Sequence, residues 1–147
     1  MYLLTDIVKF GRYTVARMID IGAQKTGSRI TNIIGEDYGY IVSHLYYGNG
    51  DYWTSRNWTL TLTGLQSTKV EIYFEKFDVE KRRNGSCVDY LLIDTLDKFC
   101  EKPTNPITAN VNISTNQISF TFITDSAVYG KGFWLYYRGN FTLNLWF

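Results

Sequence analysis

The chain has 147 residues, the length of one domain with a single hydrophobic core, so these residues hold no second full domain. Its 15 basic and 14 acidic residues nearly cancel, which disfavours nucleic acid and anionic membrane surfaces as partners, since both are bound through clustered positive charge. Aromatic residues make up 17% of the chain, and this composition favours pleated, half-buried strands. We therefore expect an all-β protein.

The first 35 residues carry no motif, and we expect residues 1–35 to be an N-terminal extension of uncertain structure. Within them, residues 4–11 are compatible with a helical turn, residues 14–21 with a strand and residues 22–28 with a loop. The start lacks the basic stretch, apolar middle and cleavage site of a secretory signal. No apolar run has the length of a membrane-spanning helix, so we expect no membrane insertion of this segment.

Alternating apolar and polar residues recur from about residue 38 onward and predict short strands separated by turns. The clearest strand alternates Val70, Ile72 and Phe74 with charged residues. Its apolar face is therefore expected to point inward and its charged face toward water. The same pattern predicts further strands at residues 58–62, 91–93, 118–122 and 133–137.

Several short motifs follow one another between residues 39 and 137. Residues 39–47 read Gly-Tyr-Ile-Val-Ser-His-Leu-Tyr-Tyr, and residues 56–60 read Arg-Asn-Trp-Thr-Leu. The later motifs are Phe-Glu-Lys-Phe-Asp-Val-Glu at 74–80, Cys-Val-Asp-Tyr-Leu at 87–91, Phe-Cys at 99–100, Phe-Thr-Phe-Ile-Thr-Asp at 120–125 and Gly-Phe at 132–133. In order and spacing these motifs resemble the CUB domain family, although Arg56 stands where the family usually has a cysteine.

The resemblance implies an all-β fold, a jelly-roll-like antiparallel β-sandwich (CUB-like) over residues 36–140, followed by a C-terminal tail at residues 141–147. It also implies an extracellular location, in a secreted protein or an ectodomain, within a larger chain. The function that it implies is non-enzymatic protein recognition or adhesion. The alternatives are a non-catalytic domain of a larger secreted protease and a glycan-binding β-sandwich with platforms such as Trp53, Trp58 or Trp134.

Two cysteines, Cys87 and Cys100, are the only ones in the chain. Without a Cys-x-x-Cys motif and with one histidine, they are poor zinc ligands. They form either a disulfide or two buried free thiols in an intracellular protein. The resemblance implies the disulfide, because both positions match the second cysteine pair of the family.

Four Asn-x-Ser/Thr sequons are candidate glycosylation sites, at Asn57, Asn84, Asn112 and Asn140. Asn84 follows three basic residues in a segment with no apolar side chain, and we expect it to be exposed and the first candidate for a glycan.

Glu80, Asp89 and Asp125 lie at predicted strand ends, and carboxylates are ligands that Ca²⁺ prefers. The resemblance, to the calcium-binding type of CUB domain, implies that these three acids ligate calcium and receive a lysine or arginine of a protein partner. Tyr52 matches a tyrosine of the family that supports this site, and we expect it to belong to the partner-binding surface beside the three acids. The basic residues 81–83 follow Glu80 and could pair with these carboxylates. We expect the three acids to converge at one end of the sandwich.

Catalysis has little support in the sequence. His44 is the sole histidine, so any Ser/His or Cys/His site would depend on it, and we expect it in a surface loop. Asp78 and Glu80 could flank a glycosidic bond, but they lie two residues apart at one strand end. We therefore expect no enzyme.

Overall fold

The structure is a computed structural model that describes residues 7–10, 14–22, 27–33, 37–44, 50–94, 96–127 and 129–140. The described residues form eleven strands. In chain order these are β1 (Ile7–Phe10), β2 (Thr14–Asp20), β3 (Gly27–Asn32), β4 (Tyr38–Val42), β5 (Arg56–Thr63), β6 (Lys69–Asp78), β7 (Tyr90–Ile93), β8 (Lys98–Phe99), β9 (Ile107–Asn110), β10 (Ile118–Thr124) and β11 (Gly132–Gly139). None of the described segments is a helix long and apolar enough to cross a membrane.

The strands form two sheets. One has the order β1-β2-β4-β11-β6-β9, and the other has the order β3-β5-β10-β7-β8. Neighbouring strands are antiparallel except for β2 beside β4 and β3 beside β5, which run parallel. The expected all-β sandwich is confirmed, and its sheets are mixed rather than wholly antiparallel.

The N-terminal segment takes part in both sheets. Residues 7–10 are a strand, so the helical turn expected there is wrong, whereas the strand expected at residues 14–21 is confirmed. Gly27 and Ser28, expected in a loop, begin β3. The expected domain boundaries at residues 36 and 140 stay predictions, and the tail at residues 141–147 lies outside the described residues.

The predicted inward faces form one core between the sheets, because alternate residues of each strand point to the same side. Phe122 is completely buried in this core. Its ring lies 5.1 Å from that of Tyr52 and 5.0 Å from that of Phe133, both edge to face, and stacks on Trp58 at 5.9 Å. Phe122 lies near the end of β10, and Phe133 and Trp58 lie near the starts of β11 and β5, so these rings pack together at one end of the sandwich.

Five strand ends meet at that end. Tyr90 at the start of β7 pairs with Ile123 near the end of β10, and Arg56 at the start of β5 pairs with Thr124. In the other sheet, the end of β6 at Asp78 pairs with the start of β11. Residues just outside these strand ends are therefore brought together from distant parts of the sequence.

Cys87 and Cys100 form the disulfide, with their Cα atoms 5.7 Å apart. The bridge joins the residue three positions before β7 to the residue that follows β8. It therefore closes the β7–β8 hairpin beside the end of the sandwich where the strand ends meet.

Candidate metal centre

Glu80, Asp89 and Asp125 converge, as expected. Each offers a carboxylate oxygen, and these three oxygens all lie within 4.8 Å of one another. Glu80 follows the end of β6, Asp89 precedes β7 and Asp125 follows β10, so residues from both sheets contribute to one cluster. We call these three residues the acidic cluster.

Asp89 is the most enclosed member of the acidic cluster, with no exposed surface. Its Oδ1 accepts a hydrogen bond from the backbone N–H of Asp125 at 2.7 Å, and its Oδ2 accepts one from the Tyr52 hydroxyl at 2.6 Å. Burial raises the pKa of Asp89, and the two hydrogen bonds and the positive charge of Arg83 offset this only in part.

Tyr52 connects two members of the acidic cluster. Its side chain is 2% exposed, and its hydroxyl both donates to Asp89 and accepts from the backbone N–H of Glu80 at 3.0 Å. Burial, followed by the hydrogen bond to Asp89, raises the pKa of Tyr52, so the hydroxyl keeps the proton that it donates. The structure thus places Tyr52 beside the acids, where it was expected, but its burial leaves it no open surface for the partner contact that was also expected of it.

Glu80 carries an unpartnered oxygen. The residue is 8% exposed; its Oε1 accepts a hydrogen bond from the Arg83 guanidinium, while its Oε2 is buried and has no hydrogen-bond partner. The sequence indicated that a basic residue of segment 81–83 could pair here, but it did not single out Arg83. Asp125 is partly exposed, and its Oδ1 accepts from the N–H of Ala127 at 3.0 Å.

The acidic cluster fits a calcium ion. Oxygen ligands bind Ca²⁺ at about 2.3–2.6 Å, so two ligands of one ion lie at most about 5 Å apart. The separation of up to 4.8 Å among the three carboxylates satisfies this limit. The buried Oε2 of Glu80 has no hydrogen-bond partner, although Oε1 pairs with Arg83, and a donor or cation would satisfy it, because an unsatisfied buried polar atom is costly. The residues that would hold the ion are Glu80, Asp89 and Asp125.

His44 differs from its expected surface position, because it is only 8% exposed. Its Nε2 lies 2.9 Å from the Gly50 carbonyl, to which it donates, so Nδ1 accepts the Ser43 hydroxyl at 2.7 Å. The Ser43 hydroxyl is completely buried and also accepts from the N–H of Phe133 at 3.0 Å. Hydrogen bonds to Ser43 and Gly50 hold the ring in this buried position, and Phe133 holds Ser43 in turn. The prediction of a surface loop histidine is therefore wrong.

The three tryptophans considered as glycan platforms lie in different environments. Trp58 is 1% exposed and packs in the core, and Trp134 is half-buried with its ring edge-on to Tyr40. Trp53 is 49% exposed and lines a shallow groove of about 450 Å³ with Tyr129, which is 55% exposed. Only Trp53 of these three presents a broad open surface.

The asparagines of the four sequons are all exposed, at Asn57, Asn84, Asn112 and Asn140. Asn84 and Gly85 have φ angles of 52° and 80° and form a tight turn closed by Arg83 and Ser86. Asn112 accepts hydrogen bonds from Ser114 of its own sequon. The remainder of the sequon at Asn140 lies outside the described residues.

Solved structures with this fold include several CUB domains. The CUB1-EGF-CUB2 fragment of human MASP-1/3 matches with a TM-score of 0.62 and 22% identity, over 86% of this chain and 44% of that one. The MASP-1 CUB2 domain bound to Ca²⁺ matches with a TM-score of 0.58 and 23% identity, over 78% and 99%. The extracellular region of zebrafish Gpr126/Adgrg6 matches with a TM-score of 0.58 and 24% identity, over 77% and 14%.

This chain therefore spans less than half the length of the human MASP-1/3 fragment. No curated protein sequence is similar enough to match the chain significantly. The CUB domain sequence profile matches residues 31–137, which is more than half of the chain. CUB domains are extracellular protein-interaction modules, in general non-catalytic and carried within larger chains. From the sequence match and the shared fold together, this chain belongs to the CUB domain family.

Proposed function

We propose that this chain is an extracellular, non-enzymatic recognition module in which Glu80, Asp89 and Asp125 bind Ca²⁺ and then receive a lysine or arginine side chain of a partner protein. The observations that carry this proposal are the convergence of one oxygen from each of three carboxylates within 4.8 Å and the buried Oε2 of Glu80, which has no hydrogen-bond partner. Such an arrangement is unfavourable by itself, because like charges repel and a buried charge loses its hydration.

A cation resolves both difficulties. When bound, Ca²⁺ would supply positive charge and coordination for the carboxylate oxygens. Asp89 is already held in place by hydrogen bonds from Tyr52 and from the Asp125 amide, so its carboxylate is positioned before an ion binds. The partly exposed Asp125 leaves a carboxylate at the surface for a charge-assisted hydrogen bond from a partner.

An extracellular role also agrees with the chemistry of the chain. The Cys87–Cys100 disulfide is of a kind that persists in oxidising compartments. The exposed asparagines of the sequons, Asn84 first among them, are the proposed glycan acceptors.

Calorimetric titration with CaCl₂ tests the metal site. We expect the unmodified protein to bind one Ca²⁺ and Asp125→Asn to bind it at least tenfold more weakly, because the variant removes one carboxylate. Asp97→Asn is the matched control, since Asp97 is an exposed acid outside the acidic cluster. The absence of a binding heat with the unmodified protein would refute the calcium site.

A peptide array tests the partner chemistry. Peptides with one central lysine or arginine are compared with the same peptides carrying norleucine at that position, in CaCl₂ and in EDTA. We expect retention of the basic peptides in CaCl₂ only, and its loss in Asp125→Asn but not in Asp97→Asn. Equal retention of the lysine and norleucine peptides would refute the basic anchor while leaving the metal site standing.

The exposed Trp53 supports one second candidate, a glycan-binding role. Trp53 and Tyr129 present open rings along the same groove, and the Arg56 guanidinium lies 5.0 Å from the centre of the Trp53 ring. Aromatic faces with polar neighbours can stack on sugar rings. A glycan array with the unmodified protein and Trp53→Ala separates the roles, because calcium binding should be the same in both proteins.

A further inference from the structure

Arg83 is the one basic side chain that forms an ion pair with the acidic cluster in the part of the chain that the structure describes. We propose that Arg83 is an internal counter-ion of this cluster, which holds Glu80 when no calcium is bound and competes with Ca²⁺ for the same carboxylate. The competition rests on the calcium site proposed above, whereas the counter-ion role does not.

The backbone around Arg83 is built to present its side chain. The N–H of Arg83 donates to the carbonyl of Ser86 at 3.0 Å, and the N–H of Ser86 donates back at 3.1 Å. Asn84 and Gly85 between them both have positive φ, the combination that a two-residue hairpin turn requires. Cys87 follows directly and is held by its disulfide. The turn therefore fixes Arg83 three residues from Glu80, where its guanidinium reaches the carboxylate.

The two partners differ in exposure. The side chain of Glu80 is 6% exposed, whereas that of Arg83 is 53% exposed. A carboxylate that is almost buried beside two further acids depends on a nearby cation, because water cannot solvate it fully. Arg83 can instead move into solvent at small cost, since its exposed part is already hydrated. The pair is therefore essential for Glu80 and dispensable for Arg83, which is the asymmetry that an exchangeable counter-ion needs.

Competition follows from the shared carboxylate. An ion held by the acidic cluster would lie near Glu80, and the Arg83 guanidinium repels it while it remains there. Part of the binding free energy of Ca²⁺ would then go into displacing Arg83. We infer that Arg83 lowers the calcium affinity of the site and keeps this end of the sandwich ordered without the ion.

Two variants with the same change in charge test the inference. Arg83→Gln removes the counter-ion, and Arg82→Gln is the matched control, because the neighbouring Arg82 pairs with Glu101, whose side chain is 65% exposed. In EDTA, we expect a clearly lower urea midpoint for Arg83→Gln than for Arg82→Gln. In calorimetry, Arg83→Gln should bind Ca²⁺ about tenfold more tightly than the unmodified protein, and Arg82→Gln should stay within about twofold of it.

The urea midpoints test the counter-ion role, and the calcium affinities test the competition, so each claim can be refuted without the other. Equal urea midpoints of the two variants in EDTA would overturn the counter-ion role. Calcium affinities that are equal in the two variants would overturn the competition, although the proposed metal site would stand as long as the unmodified protein binds the ion. If none of the three proteins binds Ca²⁺, the metal site and the competition are both refuted, and the EDTA midpoints still decide the counter-ion role.

Discussion

Replacing Tyr52 by phenylalanine tests how the acidic cluster is held in place. The change keeps the ring that packs on Phe122 and removes only the hydroxyl. That hydroxyl donates to Asp89 at 2.6 Å and accepts from the N–H of Glu80 at 3.0 Å, and both groups are buried. The loss of a hydrogen bond to a buried carboxylate and the unsatisfied N–H each cost about 1–3 kcal/mol. We expect Tyr52→Phe to lower the free energy of unfolding by about 3 kcal/mol.

Urea denaturation in EDTA measures this loss. With a slope of about 2 kcal/mol per molar urea for a domain of this size, the midpoint should fall by about 1.5 M. Tyr129→Phe is the matched control, because Tyr129 is 55% exposed and its change should stay within about 0.5 kcal/mol. If the two variants unfold at the same urea concentration, the hydroxyl of Tyr52 does not support the acidic cluster as described.

Three further measurements follow from the structure. Replacing Cys87 and Cys100 together by serine should lower the free energy of unfolding, measured in urea, by about 3 kcal/mol, because the bridge closes a loop across 13 positions. The intact mass of the unmodified protein should rise by two hydrogens on reduction. Phe122→Ala should cost about 4 kcal/mol in the same assay, since the ring is completely buried among three other aromatic rings, and a cost below about 1 kcal/mol would contradict the packing.

The third concerns Asp89, whose pKa burial raises above the ordinary 3.8. Because the folded state favours the protonated form of Asp89, this carboxyl contributes its full stabilisation to the calcium-free fold below pH 3.8. The contribution is lost as pH rises through the raised pKa. Protonated Asp89 is a poorer calcium ligand, so the calcium affinity measured at decreasing pH should fall at a higher pH than the one at which an exposed aspartate is protonated. A constant affinity down to pH 3.8 would contradict this.

Local patterns were sufficient for the strands that carry most of the core. In β6, Val70 and Ile72 are completely buried as their alternation with charged residues predicts, because one face of a strand packs inward. The acidic cluster was predicted from the resemblance of short motifs to the calcium-binding type of CUB domain, and its three acids lie at or just beyond strand ends. These ends meet because neighbouring strands pair in register.

Long-range partners could not be read in the same way. The parallel pairing of β2 with β4 and of β3 with β5 could not be predicted, because the residues of an apolar strand do not specify which other strand it pairs with. Asp37 is 1% exposed and accepts hydrogen bonds from the N–H groups of Gln66 and Ser67, a role that we did not predict from the sequence. Its hydrogen-bond partners lie about 30 positions away in the sequence, and no local pattern around Asp37 predicts them.

The strands β2 and β3, which run parallel to β4 and β5, determine where the chain can be truncated. In one sheet β2 lies between β1 and β4, and in the other sheet β3 is the edge strand beside β5. A shortened chain that starts at residue 36 would uncover two rows of unsatisfied backbone amides and carbonyls at once. Bare borders of this kind recruit strands from other molecules, so such a fragment should sediment as oligomers, whereas the chain with its first residues intact should not.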